Sequence, residues 1–218
     1  MKLKSYMRLA ACVALALMVS YATPVRGALL APASVLIPGA AEPDPVGATL
    51  LFSTGAVPFA VPGSFSGTLT SSVYSPDPSN PLLGVTLTYL ITNDAASANS
   101  IGRFTVDGYS GWGTDGSYQT PVAGVAPASI DRNVSGDVIG YNFVPTGAPA
   151  TGFLIPGGSS ALLVVQTDAP SYTAALGSLI DGGVTTVPSL GPAVPEPSTI
   201  ALVLGGLASL GVYRLRRR

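Results

Sequence analysis

Residues 85–92 read VTLTYLIT. On an extended chain Val85, Leu87, Tyr89 and Ile91 fall on one side, and Thr86, Thr88, Leu90 and Thr92 on the other. A strand needs this alternation when one face meets a core and the other meets water. The same period recurs outward in both directions. Phe65, Leu69 and Val73 mark an earlier strand, with Gly67 on the same face. Five more segments read as strands: Leu51 with Phe52, Phe104 with Val106, Ile139 with Tyr141 and Phe143, the run Ala161 to Val165, and Val184 to Val187. Turn-forming clusters such as Ser75-Pro76-Asp77-Pro78 and Pro156-Gly157-Gly158 lie between them. No stretch between residues 28 and 193 holds a helical period for three turns. The expectation is an all-β body, a β-sandwich or jelly roll of seven or eight strands spanning residues 49–190. Residues 28–48 are rich in Pro and Ala and read as an irregular lead-in with room for one edge strand.

Charge is scarce and segregated. Charged residues are 10% of the 218, against about 25% in a typical soluble protein. Of the ten basic residues only Arg103 and Arg132 lie between 28 and 193, where ten of the eleven acidic residues also lie, so the body carries a formal charge of −8. Two separated arginines cannot neutralise a phosphate backbone, so no nucleic-acid partner is expected. The single cysteine, Cys12, sits in the N-terminal apolar run, which leaves the body without a disulfide or a cysteine metal site. Histidine is absent, removing the commonest metal ligand and general base. A serine nucleophile would find no His or Lys in the body to activate it, and no spacing singles out a carboxylate pair. The expectation is a non-enzymatic protein without cofactor, with a carboxylate-based glycoside hydrolase as a remote alternative.

The two ends carry the remaining charge. Lys2, Lys4 and Arg8 precede an apolar run from Leu9 to Val19, the layout of an export signal for residues 1–27. Val25-Arg26-Gly27 places cleavage between Gly27 and Ala28, with Ser20-Tyr21-Ala22 as the second choice. At the other end Ser198 to Tyr213 is sixteen residues without charge. As a helix rising about 1.5 Å per residue it would span roughly 24 Å, a short transmembrane helix whose flanking arginines snorkel. Arg214, Arg216, Arg217 and Arg218 form a basic stop-transfer cluster, residues 214–218, that stays cytoplasmic. Both ends then put the body on the far side of the membrane.

Between body and span, residues 191–197 read as a linker ending in Pro195-Glu196-Pro197. Two prolines hold that motif extended and remove two backbone donors, a shape suited to a protease cleft. Pro-Glu-Pro, short span and Arg-rich end, in that order, resemble the PEP-CTERM sorting signal of bacterial exported proteins over about the last 25 residues. The resemblance implies two partners, an export translocon and an exosortase-type membrane enzyme that cleaves near Pro195-Glu196-Pro197. It also implies a cell that makes extracellular polysaccharide, and so an exported surface or matrix protein with a structural or adhesive role.

Two further groups are candidate sites. Trp112, the only Trp, lies in DGYSGWGTDGS (107–117) near Tyr109 and Tyr118. Exposed together, these rings could stack on sugars as a carbohydrate-binding module; the alternative is a Trp capping the core under a Gly-rich loop. Asp107, Asp115, Asp131 and Asp137 are read as loop residues, either oxygen ligands for calcium or simply solvated turns, without the spacing of a calcium loop.

Overall fold

Every segment of period two is a strand in the computed structural model, which describes residues 28–144 and 152–193. In chain order the strands are β1 (Val35–Leu36), β2 (Ala41–Glu42), β3 (Leu50–Val61), β4 (Phe65–Tyr74), β5 (Thr86–Asn93), β6 (Arg103–Val106), β7 (Thr114–Gln119), β8 (Ser129–Arg132), β9 (Ile139–Asn142), β10 (Leu163–Thr167), β11 (Tyr172–Ile180) and β12 (Val184–Pro192). No helix occurs among the described residues. The strands form two six-stranded sheets, ordered β1-β8-β9-β6-β11-β12 and β2-β7-β10-β5-β4-β3. All pairings are antiparallel except that of β2 with β7.

The alternation decides what is buried. Along β4, Phe65, Gly67, Leu69, Ser71 and Val73 turn inward. Gly67 is required there, because a Cβ would sit 2.0 Å from the Thr92 carbonyl oxygen. Leu69 and Val73 join Leu87, Tyr89 and Ile91 of β5 in a core completed from the other sheet by Phe104, Ile130, Tyr141 and Leu179. The Phe104 ring lies 5.4 Å from that of Tyr89 and 6.3 Å from that of Tyr141, tilted on the first and stacked on the second. Buried hydroxyl groups find partners across the same layer. Tyr141 Oη donates to the Val164 carbonyl (2.8 Å), and Ser71 Oγ meets Ser189 Oγ at 2.9 Å.

The outer face of β5 departs from expectation. Leu90 is exposed, but Thr86 and Thr88 are buried. The segment between β4 and β5 folds over this face: Thr86 Oγ1 donates to Asp77 Oδ2, and Asn80 Nδ2 donates to the Gly84 and Thr167 carbonyls. The lead-in 28–48 also does more than expected, giving each sheet an edge strand, β1 and β2, and burying Leu30. At the far end β12 runs through Pro192, into the stretch read as linker.

Candidate functional site

The Gly-rich loop around Trp112 is built on one arginine. Arg132, at the end of β8, is 5% exposed and uses all five of its N–H donors. Nε bonds the Gly136 carbonyl (2.9 Å), Nη1 bonds the Leu30 carbonyl (3.1 Å) and Thr114 Oγ1 (2.8 Å), and Nη2 bonds the Tyr109 and Trp112 carbonyls (2.8 Å each). Burial draws its pKa below the usual value, opposed by the fields of Asp168, Tyr109 and Asp137.

This geometry separates the three aromatic rings. Tyr109 is fully buried and does not belong to any exposed platform. Its hydroxyl lies 2.6 Å from Tyr89 Oη, which donates in turn to the Leu190 carbonyl at 2.7 Å, so Tyr109 is the donor to Tyr89. Burial raises the pKa of both phenols. Trp112 is half-buried against the core, and its Nε1–H donates to the Ala193 carbonyl at 2.8 Å. It also borders a cleft of about 370 Å³ lined by Leu29, Pro32, Gly111, Arg132 and Ser135 among others. Tyr118 lies at the other end of β7, half-buried, and does not line that cleft. The sequence brings the three tyrosine and tryptophan residues near in number; only Trp112 reaches the cleft.

The four aspartates do not converge either, and two of them are on strands rather than loops. Asp131, in β8, accepts a two-pronged bond from Arg103 (Nη1 2.6 Å, Nη2 2.7 Å) and a third from Asn142 Nδ2 (2.7 Å). Burial works to raise its pKa, but the Arg103 and Asn142 hydrogen bonds outweigh it and hold the carboxyl below the usual value. Asp107 Oδ1 accepts from the Leu176 amide, and Asp137 sits in the turn after β8. Among the described residues no group of three His, Cys, Asp or Glu side chains is placed to hold a metal ion.

Asp115, in β7, is buried, and it belongs to a second site that the sequence did not mark. Beside it lie Glu42 of β2 and Asp44, each 6% exposed. Burial, then the Asp44 and Asp115 carboxylates, push Glu42 up from 4.5 to about 8. Burial and the Asp44 charge push Asp115 to about 6. Glu42 Oε1 accepts the Ala28 amide N–H at 3.0 Å, whereas Glu42 Oε2 and both Asp115 oxygens accept no hydrogen bond. Glu42 and Asp44 stand in the Pro-rich lead-in, in AEPDP, and that composition masked them.

The remaining sequence assignments fall outside the described residues: Gly27 of the Gly27–Ala28 cleavage point, Pro195-Glu196-Pro197, the span 198–213, and Arg214, Arg216, Arg217 and Arg218. No helix of the described residues is long and apolar enough to cross a membrane. What the described part does fix is the junction with that tail. Ala193 is held on both sides, its N–H by the Ser171 carbonyl (2.9 Å) and its C=O by Trp112. Neither a curated protein nor a solved structure matches the chain. Residues 193–218 match the PEP-CTERM protein-sorting motif, which implies export, processing by the membrane enzyme exosortase, and sorting to the cell envelope or surface.

Proposed function

We propose that this chain is a structural or adhesive protein of the cell surface or of an extracellular polysaccharide matrix, as in a biofilm. In this reading it leaves the cell through the translocon on its N-terminal signal and pauses in the membrane on residues 198–213. Exosortase then processes it at Pro195-Glu196-Pro197. Its body is a β-sandwich without enzymatic activity. The observation that carries the reading is the match of residues 193–218 to the sorting motif. A body with charge −8, no lysine and few charges of any kind suits a hydrated anionic matrix, where it stays soluble without binding polyanions.

The test is the mass of the C-terminal peptide of the protein recovered from its native cell surface. A chain ending near Glu196 is the expected result, and any added mass identifies the anchor. Retention of Arg214 to Arg218 overturns the sorting reading and leaves a surface protein held permanently by its span. A second reading, a carbohydrate-binding surface, is supported by the cleft beside Trp112. It predicts a shift in the single-tryptophan fluorescence on adding the cell's own polysaccharide; an unchanged spectrum at millimolar sugar removes it.

A further inference from the structure

The Glu42–Asp44–Asp115 group is a buried anionic site with no side-chain cation to balance it. Among the described residues the cations are Arg103 and Arg132. Arg103 is committed to Asp131, and Arg132 to carbonyl groups and Thr114. Three oxygens in the group, Glu42 Oε2 and both Asp115 oxygens, meet no donor in good hydrogen-bond geometry, on side chains 6% and 1% exposed, and the contact of Glu42 with Asp44 is carboxyl to carboxyl and brings no positive charge. An uncompensated buried carboxylate is costly, and native structures rarely keep one.

One group of the chain is already at the site. The segment Ala28–Leu30 lies along the edge of β7: Leu29 bridges Asp115, and the Leu30 N–H bonds the Thr114 carbonyl at 2.9 Å. Strand β2 continues along the same edge, pairing Glu42 with Gln119. This arrangement sets the Ala28 nitrogen between Glu42 and Asp115. Its N–H bonds Glu42 Oε1, and it offsets part of the rise at Asp115 without reaching good hydrogen-bond geometry there. As an amide this nitrogen has one proton to give. As a terminal ammonium it has three, and a full positive charge.

We propose that the Glu42–Asp44–Asp115 group is a receptor for the α-ammonium of Ala28, so that removal of the export signal after Gly27 creates the counter-ion that completes the fold. Hydrolysis adds one water across the Gly27–Ala28 bond. Hydroxyl goes to the Gly27 carbonyl carbon and hydrogen to the Ala28 nitrogen, and the proton shed by the new Gly27 carboxyl balances the one the amine takes up. The ammonium then has a donor for each of Glu42 and Asp115 and one to spare, with Asp44 adding field. Before cleavage burial and the neighbouring carboxylates favour the neutral forms of Glu42 and Asp115; afterwards the new charge favours their ionised forms. The inference rests on the export reading for the cleavage itself.

The sequence makes the test clean. Lys2 and Lys4 are the only lysines, both before Gly27, so the α-amine is the single primary amine of a chain cut there. The full precursor is produced in an exporting bacterial host, its N-terminal peptide is weighed, and the recovered protein is acylated at pH 7.5, folded and in urea. The expected result is a chain beginning at Ala28 whose folded form acylates about 60-fold more slowly than its unfolded form, because pairing raises the amine pKa by about two units. Glu42→Gln with Asp115→Asn should bring the folded rate back toward the unfolded one. The wild-type comparison needs no variant to fold. Acylation of folded wild type within about threefold of the unfolded rate overturns the receptor. So does a chain that begins at another residue. A recovered chain that still holds residues 1–27 overturns the receptor and the export reading together.

Discussion

Arg132 and the Glu42–Asp44–Asp115 group bury opposite charges at the two ends of one short segment, Ala28–Leu30, and they do so in different ways. Arg132 is complete within the fold. Five donors meet five acceptors, four of them backbone carbonyls, so its charge is spread over fixed dipoles and needs no carboxylate. The acidic group is incomplete, with three oxygens unbonded. The difference teaches that a buried guanidinium can be satisfied by backbone alone, because backbone carbonyls are plentiful at loop ends. Buried carboxylates need donors, and in a strand edge those are already spoken for. The cation therefore reads as structure, and the anions read as a place where something arrives.

Breaking the complete site should cost most. Arg132→Met orphans the Trp112 and Gly136 carbonyls, takes a donor from those of Leu30 and Tyr109, and should lower stability by about 4 kcal/mol, read from urea denaturation. The incomplete site should give a smaller effect whose sign depends on the state of Ala28. Take the protein with its α-amine acetylated while unfolded and then refolded, which keeps Ala28 an amide. Glu42 there has a folded pKa above its unfolded one, so the charged form is penalised. Stability is then full below pH 4.5 and is lost as the pH rises toward about 8. Glu42→Gln should raise the stability of that acetylated form at pH 8 by about 1 kcal/mol and lower that of the free-amine form by about 2. Equal effects on both forms would erase the contrast between the two sites.

Smaller still is the loop that Arg132 carries. Trp112→Phe keeps the ring against the core but drops the bond to Ala193, and should cost about 1 kcal/mol while speeding proteolysis after residue 193. Last comes the half-exposed pair. Asp131→Asn should cost under about 1 kcal/mol near neutral pH. Because the Asp131 pKa is depressed, that contribution is present above the unfolded aspartate value and disappears as the solution is acidified through the folded one. Thermal melts at pH 7 and pH 3 check it.

The order of these effects also shows what the sequence could say. Strands β4, β5, β6 and β9 were legible because large apolar residues hold the inward positions. Strand β7, TDGSYQ, was not: its inward Gly116 lies against Leu30 and Ile130, and a larger residue there would not fit, so the pattern carries no hydrophobic signal. It is a strand because β10 on one side and residues 28–30 and β2 on the other use its backbone. Strand β11 is diluted in the same way, turning Gly177 and Leu179 inward among half-exposed neighbours. Tyr109 looked like a surface ring because a Gly-rich sequence looks like a surface. Its burial depends on Arg132, which is 23 residues away and was visible only as a count of positive charges. The sorting motif was legible in full, since its meaning lies in order and composition rather than in packing.

The Trp112–Ala193 bond has a mechanical consequence. Were the body held to the envelope through its C-terminal side, a tug from flowing fluid would enter the described fold at Ala193. Two hydrogen bonds would share that load first, to Ser171 and to Trp112, and the second would pass it through Arg132 to Leu30, near the first of the described residues. Behind them stands β12, an edge strand paired on one side only, beginning at the rung between Pro192 and Tyr172. A pull across the sheet reaches such rungs one after another, so the indole nitrogen is the latch that keeps the first of them from opening.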